Sequence, residues 1–492
     1  MIDEVERSCS PAATSRASAA RGPAHVSAAS DPARPTATGA GAAHARPRPR
    51  AAADGDALDA GIDTGPPPAV WDLAIVGGGP AGAIAAWRAA HLGLRVVLLE
   101  RGGFPRDKVC GEFISAEALP LLAQVTPALV TGAPQIGRAN WITAHGRRAG
   151  FQLASPGRGI ARWDLDAALW AAAGQAGVEL RAGVTVTRWR PSLGQLEYRG
   201  LGAGSAETLQ ARALVLAAGR WWRIQGLASP GMGGEVAPVR GLARGRGDGR
   251  QERASSPERG AFRRGTRWVG VKAHLQGVRC EGLEMFAFPG GYCGLAPVAG
   301  GVNACALAGD GRAMLAGCRD FVAWLRSRSA PLAARLSTAR LARSVQMTAP
   351  VWLGLRSQAP SGVFCVGDAA GFADPFTGSG LARALLGGVL AAELAARALI
   401  SGGDLAGALA AHAAAVDAAT RRARRYSRWL RSWMTAAEPW QGWAARLLTA
   451  GTIGRALETR TRWDQAAVTA ASARRTAAAR SRTAPPPRRP TR

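Results

Sequence analysis

The chain has 492 residues, 47% of them apolar, and a formal net charge of +28, which leaves room for two or three domains around a sizeable core. Half of the excess charge sits in residues 421–492, where 17 Arg face Glu438, Glu458 and Asp464, net +14. The remaining basic residues lack the interleaved aromatics of a nucleic-acid groove, no apolar run is long enough to span a membrane, and seven cysteines without CxxC spacing form no disulfide framework, so nucleic-acid binding and a secreted scaffold are excluded and a reducing cytoplasmic compartment is expected.

Residues 1–69 are Ala, Pro, Ser, Thr, Gly and Arg in no periodic order and are expected to be disordered. The acidic start MIDEVERSCS does not read as a secretory signal. Trp71 to Glu100 then reads strand, turn, helix, strand: DLAIVGGG is a buried apolar run, PAGAIAAWRAAHLG is helical, and LRVVLLE is a second buried run. Helices follow near 116–124 and 164–176, then VELRAGVTVTRW as strands and ALVLAAG (Ala213 to Gly219) as another buried strand. After a Gly/Arg-rich loop at 241–265, residues 268–310 alternate apolar and polar with Gly-containing turns, which predicts an antiparallel sheet and a second domain. VFCVGDAAG returns to a buried strand, leads into a helix over 380–399, and is followed by a helical C-terminal region.

Two motifs carry chemistry. In GGGPAG, Gly77, Gly79 and Gly82 stand in G-x-G-x-x-G register between a strand and a helix, where they let the backbone approach a pyrophosphate resting on the helix N-terminus. Glu100 ends the second strand, where an acid accepts from a ribose hydroxyl. The second motif, VFCVGDAAGFADPFTGSG, places Asp368 at a strand end to hold a ribityl hydroxyl. Pro375, Gly378 and Gly380 precede a long helix whose amides face the electron-rich edge of a reduced flavin. Together they select FAD over NAD.

The pairing of GGGPAG with GDAAGFADPFTGSG resembles the flavoprotein superfamily of aromatic hydroxylases, geranylgeranyl reductases and flavin-dependent halogenases, over about residues 70–400. It most resembles the geranylgeranyl-reductase-like branch, through Gly371 in GDAAG, GFPRDKVCGEFIS, and the PGGY turn in PGGYCGLAPV. The resemblance implies that Arg106, Lys108, Cys110 and Gly111 lie along FAD and its substrate face, and that Arg162 contacts the cofactor. Two departures stand out. LAAGRWW replaces an Asp-Gly motif linked to FAD and NADPH, which leaves the electron donor open between NAD(P)H and a separate carrier protein. The halogenase signature Trp-x-Trp-x-Ile-Pro is absent.

The expected fold is α/β: a Rossmann-like FAD-binding domain with a parallel sheet, discontinuous over 70–220 and 345–400, with an inserted α+β substrate domain on an antiparallel sheet over 221–344. C-terminal helices follow over 401–470, then a disordered basic tail over 471–492. Candidate catalytic residues are Cys110, Tyr292 and Lys108. Cys110 is open to a structural reading or to one in which Arg106 and Lys108 favour its thiolate, and Tyr292 to proton donation or plain packing. Only two lysines occur, Lys108 and Lys272, in a chain that otherwise uses Arg. A functional role is assigned to Lys108 ahead of Lys272, since Lys suits places where the Arg fork does not fit. Solvent exposure is expected for Lys272 and His274, on one strand face. No metal site is expected.

Trp429, Trp433, Trp440 and Trp443 recur at helical spacing among Arg residues, with Pro439 as a kink. The segment 421–447 either docks on the substrate domain or makes peripheral membrane contact. The leading functional expectation is an FAD-dependent reductase of C=C bonds in an isoprenoid, polyketide or other lipophilic small molecule, by hydride transfer from flavin N5. The alternatives are a flavin monooxygenase acting on an aromatic or quinone-like substrate and a non-catalytic flavin-binding partner protein.

Overall fold

The computed structural model describes residues 70–470 apart from 203–204, 221, 228–267, 310–319, 352–359, 361, 373–374 and 435–450. The expected disorder of 1–69 and 471–492 and the Gly/Arg loop at 241–265 lie outside the described residues, as do Pro439, Trp440 and Trp443.

In chain order the first half comprises β1 (Trp71–Val76), α1 (Pro80–His91), β2 (Val96–Glu100), β3 (Phe113–Ile114), α2 (Leu119–Val125), α3 (Pro127–Gly132), β4 (Gln135–Ile142), β5 (Arg148–Gly159), α4 (Arg162–Gln175), β6 (Glu179–Ala182), β7 (Val184–Arg190), β8 (Gln195–Gly200) and β9 (Glu207–Leu216). The second half comprises β10 (Trp268–Gln276), β11 (Leu283–Phe288), β12 (Gly291–Val298), β13 (Gly301–Ala308), α5 (Phe321–Arg326), α6 (Ala330–Arg335), β14 (Arg340–Leu341), β15 (Gln346–Val351), β16 (Phe364–Cys365), α7 (Gly380–Ile400), α8 (Leu405–Met434) and α9 (Gly451–Thr461).

The first sheet has a parallel core, β6-β2-β1-β9-β16, with β8 and β7 folded back antiparallel on the other half of β9. Its central strands are buried on both faces, which is why they read as continuous apolar runs rather than alternations. One face carries α1, α4 and α7 through Leu73, Ile75, Ile84, Leu98, Leu165 and Leu385. Pro80 starts α1 without a lost hydrogen bond. Gly93, at φ +85°, ends the turn that follows the helix. The glycines that interrupt α7 are a packing device: a Cβ on Gly388 would lie 2.4 Å from the carbonyl oxygen of Ala81 in α1. That close approach brings the second motif's helix against the first motif's helix.

The second sheet is ordered β14-β10-β13-β12-β11-β4-β5-β3, with β15 also on β10. It is antiparallel except where β11 runs parallel to β4. Two features depart from the sequence reading. Strands β3, β4 and β5 come from before residue 220 and β15 from after 345, yet all four pair in this sheet. β10 is buried along nearly all its length, because α5 and α6 cover one face and the 107–112 segment covers the other. Val109 Cγ1 sits 3.2 Å from where a Cβ on Gly270 would be. Lys272 and His274 point to that second face, so their expected solvent exposure is wrong: they are 1% and 6% exposed.

Candidate functional site

The loop between β1 and α1 leaves room for a large anion. A Cβ on Gly77 would lie 2.4 Å from Ala217 O, and one on Gly82 only 1.9 Å from Gly77 O, so both positions require glycine. At Gly79 only Arg162 Nη2 comes near, at 3.9 Å from the Cβ position, and the surface there is open. The first turn of α1 has no acidic residue to offset its positive end.

Glu100 closes one end of this cradle. Its Oε2 accepts from the Gly78 amide at 2.7 Å, and its Oε1 accepts from the Gly102 amide at 2.9 Å and from Arg106 Nη1 at 2.5 Å. Burial pushes the carboxyl up, but Arg106 and the two amides outweigh it and hold the group below the ordinary Glu range. Three acceptances leave a carboxylate lone pair for a hydroxyl. Arg106 lies over Phe104, which stacks on Trp170 at 4.6 Å.

Arg162 is the first residue of α4, which starts two residues before the expected 164. Asp166, fully buried one turn on, holds its guanidinium by two bonds of 2.6 and 2.7 Å. Burial alone would lower the guanidinium's pKa; Asp166 overrides it and keeps Arg162 charged. The RWDLD spacing contained this pair, and the sequence reading missed it.

The other end is built by the second motif. Gly367 abuts Ala81 of α1, and a Cβ on Gly378 would lie 2.9 Å from Phe113 Cδ1, so the two motifs and the KVCGEF segment converge. Pro375 begins a short 3₁₀ turn and Gly380 opens α7, whose first turn also lacks an acid. Asp368 is half-exposed, its Oδ2 3.8 Å from Arg220 Nε. Arg220 belongs to LAAGRWW, the segment that replaces the Asp-Gly motif. It lies over Phe372 and donates to Thr348 Oγ1 at 3.2 Å.

Behind the cradle lies a buried charge cluster that the sequence did not reveal. Glu112, at φ +57°, accepts from the Arg162 amide at 2.7 Å and from Lys272 Nζ, and its Oε2 is 2.6 Å from His274 Nε2. Lys272 Nζ also donates to Asp107 Oδ1 at 2.8 Å. Asp107, Glu112 and His274 are close enough to ligate a metal, but the Lys272 ammonium already fills the cationic place between the two carboxylates. The exceptional lysine of this Arg-rich chain is therefore Lys272, while Lys108 is exposed.

Cys110 receives the Glu112 amide at 3.4 Å. Burial pushes its thiol up against the pull of Arg162, and Glu112 raises it further, which favours the structural reading of Cys110 over the thiolate one. Tyr292 is buried, its ring 5.2 Å from that of Phe376, edge to face.

Next to Phe113, Phe376 and Thr377 opens a pocket between the β4, β5 and β11 strands and the ends of α8 and α9. Its apolar lining includes Phe113, Trp141, Phe151, Leu153, Met285 and Phe376. Cys110, Lys108 and Tyr292 do not line it.

Residues 71–247 match the family model described as pyridine nucleotide-disulphide oxidoreductase. A digeranylgeranylglycerophospholipid reductase of Methanopyrus kandleri is 28% identical over 346 residues, covering 67% of this chain and 78% of that one. Over these stretches the chain is similar to FAD-dependent oxidoreductases. A menaquinone reductase of Mycobacterium tuberculosis is 35% identical over 86 residues, so the flavoprotein matches only 18% of that relative's length. A flavin-dependent brominase structure aligns with 84% of this flavoprotein and 99% of its own chain, with a TM-score of 0.59 and 18% identity, a likeness of fold. The cradle, Glu100 and the second motif fit FAD. Among the described residues no helix is long and apolar enough to cross a membrane.

Proposed function

We propose that this flavoprotein reduces C=C bonds of a lipophilic substrate held in the pocket beside Phe113 and Phe376. The observation that carries the reading is the pocket itself: an apolar space meets the two segments, KVCGEF and PFTGSG, that flank the cofactor region. The similarity to a digeranylgeranylglycerophospholipid reductase supports the same choice. Bound FAD supplies hydride equivalents from N5 when reduced. The chain's own residues do the rest: the glycine loop and α1 receive the pyrophosphate, Glu100 takes a ribose hydroxyl, Asp368 a ribityl hydroxyl, and the aromatic lining excludes water from the reacting carbons. Arg162, fixed by Asp166, holds its guanidinium N–H groups beside Gly79.

Anaerobic protein, reduced with dithionite and mixed with a polyprenyl substrate, should re-oxidise its flavin and yield a saturated product. Re-oxidation only on admitting oxygen, with hydroxylated product, would instead establish a monooxygenase. No re-oxidation by any substrate would favour a binding partner without turnover.

We infer too that the outer face of α8 meets an anionic membrane surface. Leu430 packs on the second sheet's cluster and Arg431 lies over the Trp268 ring, while Trp429 is 45% exposed near the outward-facing Arg421 and Arg425.

A further inference from the structure

Two residues that line the pocket carry buried N–H groups with no acceptor among the described residues: Arg462 Nη1 and Trp141 Nε1. The other polar side chains of the lining each have at least one partner. Glu458 accepts from Arg462 Nη2 at 2.8 Å and from the Ala154 amide at 2.9 Å, and Thr461 Oγ1 donates to Glu458 O at 2.8 Å. Asn140 Oδ1 accepts from Arg138 at 3.0 Å, and Thr377 Oγ1 lies 3.0 Å from Ser427 Oγ. Buried donors in native folds nearly always find an acceptor in protein, water or ligand. The two orphan donors of this pocket therefore mark where ligand oxygen belongs.

Charge narrows the ligand further. Glu458, only 8% exposed in its side chain, neutralises Arg462. The pair offers an N–H without net positive charge, so an anionic head would be buried with no countercharge to offset its desolvation. A neutral carbonyl accepts the same hydrogen bonds at no such cost.

We propose that the pocket binds an uncharged lipophilic molecule of the conjugated ketone or quinone class, whose carbonyl oxygen atoms accept from Arg462 and Trp141. This rests on the reading of the pocket as the substrate site and names its substrate class. N–H donors on a carbonyl withdraw electron density from a conjugated double bond and make it a better acceptor of hydride. Arg462, the residue after α9, and Trp141 of β4 thus supply the polar recognition, and the other residues of β4 and β5 the apolar walls.

The test is equilibrium binding to the full-length, oxidised, FAD-loaded protein, followed by tryptophan fluorescence and flavin absorbance. Four probes are compared: a long-chain conjugated methyl ketone, the matching hydrocarbon, the matching carboxylate, and an isoprenoid diphosphate. The ketone should bind about tenfold more tightly than the hydrocarbon, the usual worth of a hydrogen bond to a buried donor. Arg462→Met should erase most of that gap and Trp141→Phe part of it. Glu458→Gln, which removes the neutralising charge, should turn the preference towards the carboxylate. Equal binding of ketone and hydrocarbon by the unmodified protein, or tighter binding of the diphosphate than of the ketone, overturns the proposal. If Arg462→Met does not fold, an unchanged ketone preference in Trp141→Phe and Glu458→Gln overturns it as well. Because binding is read on oxidised protein without turnover, loss of ketone preference sinks the carbonyl anchor alone, while the anaerobic assay judges the reductase reading.

Discussion

Lys272 Nζ donates to Asp107 Oδ1 at 2.8 Å across 165 residues of sequence, and the same ammonium bonds the buried carboxylate of Glu112. It ties the second sheet to the segment that leads from the FAD cradle to the pocket. Removing one partner strands a buried charge, at a typical cost of about 3–5 kcal/mol. Lys272→Met should therefore lower the denaturant midpoint markedly, and Lys272→Arg should not restore it, because a planar fork does not fit a site shaped for a compact ammonium. The double variant Lys272→Met/Glu112→Gln should be more stable than the sum of the single losses predicts.

Gly79 and Gly82 should respond differently to the same change. Gly79→Ala meets no backbone, so the apoprotein should keep its thermal midpoint while FAD retention on gel filtration falls. Gly82→Ala places a carbon 1.9 Å from Gly77 O and should lower stability and cofactor content together. Equal stability loss in both variants would remove the distinction.

Glu100 is held below the ordinary Glu range despite its burial, chiefly by Arg106 and the amides of Gly102 and Gly78. Its folded pKa lies under its unfolded one, so its contribution is fully present above the unfolded value and is lost as pH falls through the folded value. Urea midpoints of the unmodified protein and Glu100→Gln should differ at neutral pH and converge in acid. The Gln variant should also lose FAD more readily.

Burial depresses the His412 imidazole to about 4 from 6.5. The unfolded chain binds the extra proton across that window, so stability should rise with pH from about 4 to 6.5 and then level. His412→Leu should flatten that part of the profile. A slope equal to that of the unmodified protein would show that other groups carry it.

For the proposed membrane contact, Trp429→Ser should reduce pelleting with vesicles rich in anionic lipid and leave FAD content unchanged, since Trp429 is 45% exposed and distant in sequence from the cofactor motifs. Equal pelleting of both proteins would leave α8 with its docking role only.

Local order was legible in the sequence where the signal is local. The strand-glycine-helix pattern at 71–100, Glu100 at its end, and the long helix after GDAAG each follow from short-range periodicity and backbone needs, and together they specify FAD. What lay out of reach depends on elements that meet only in three dimensions. Alternation in β10 marked Lys272 and His274 as one face of a strand, but whether that face meets water was decided by the 107–112 segment laid over it. The KVCGE run held Glu112 without any sign that two residues some 160 positions later would bond it. Arg462 read as one more basic residue of an Arg-rich tail, and only the packing of α9 against β5 placed it in an apolar pocket with a free N–H. Periodicity encodes which side chains share a face; what covers that face is a long-range choice, and for this protein it decides both the buried charge cluster and the apolar pocket.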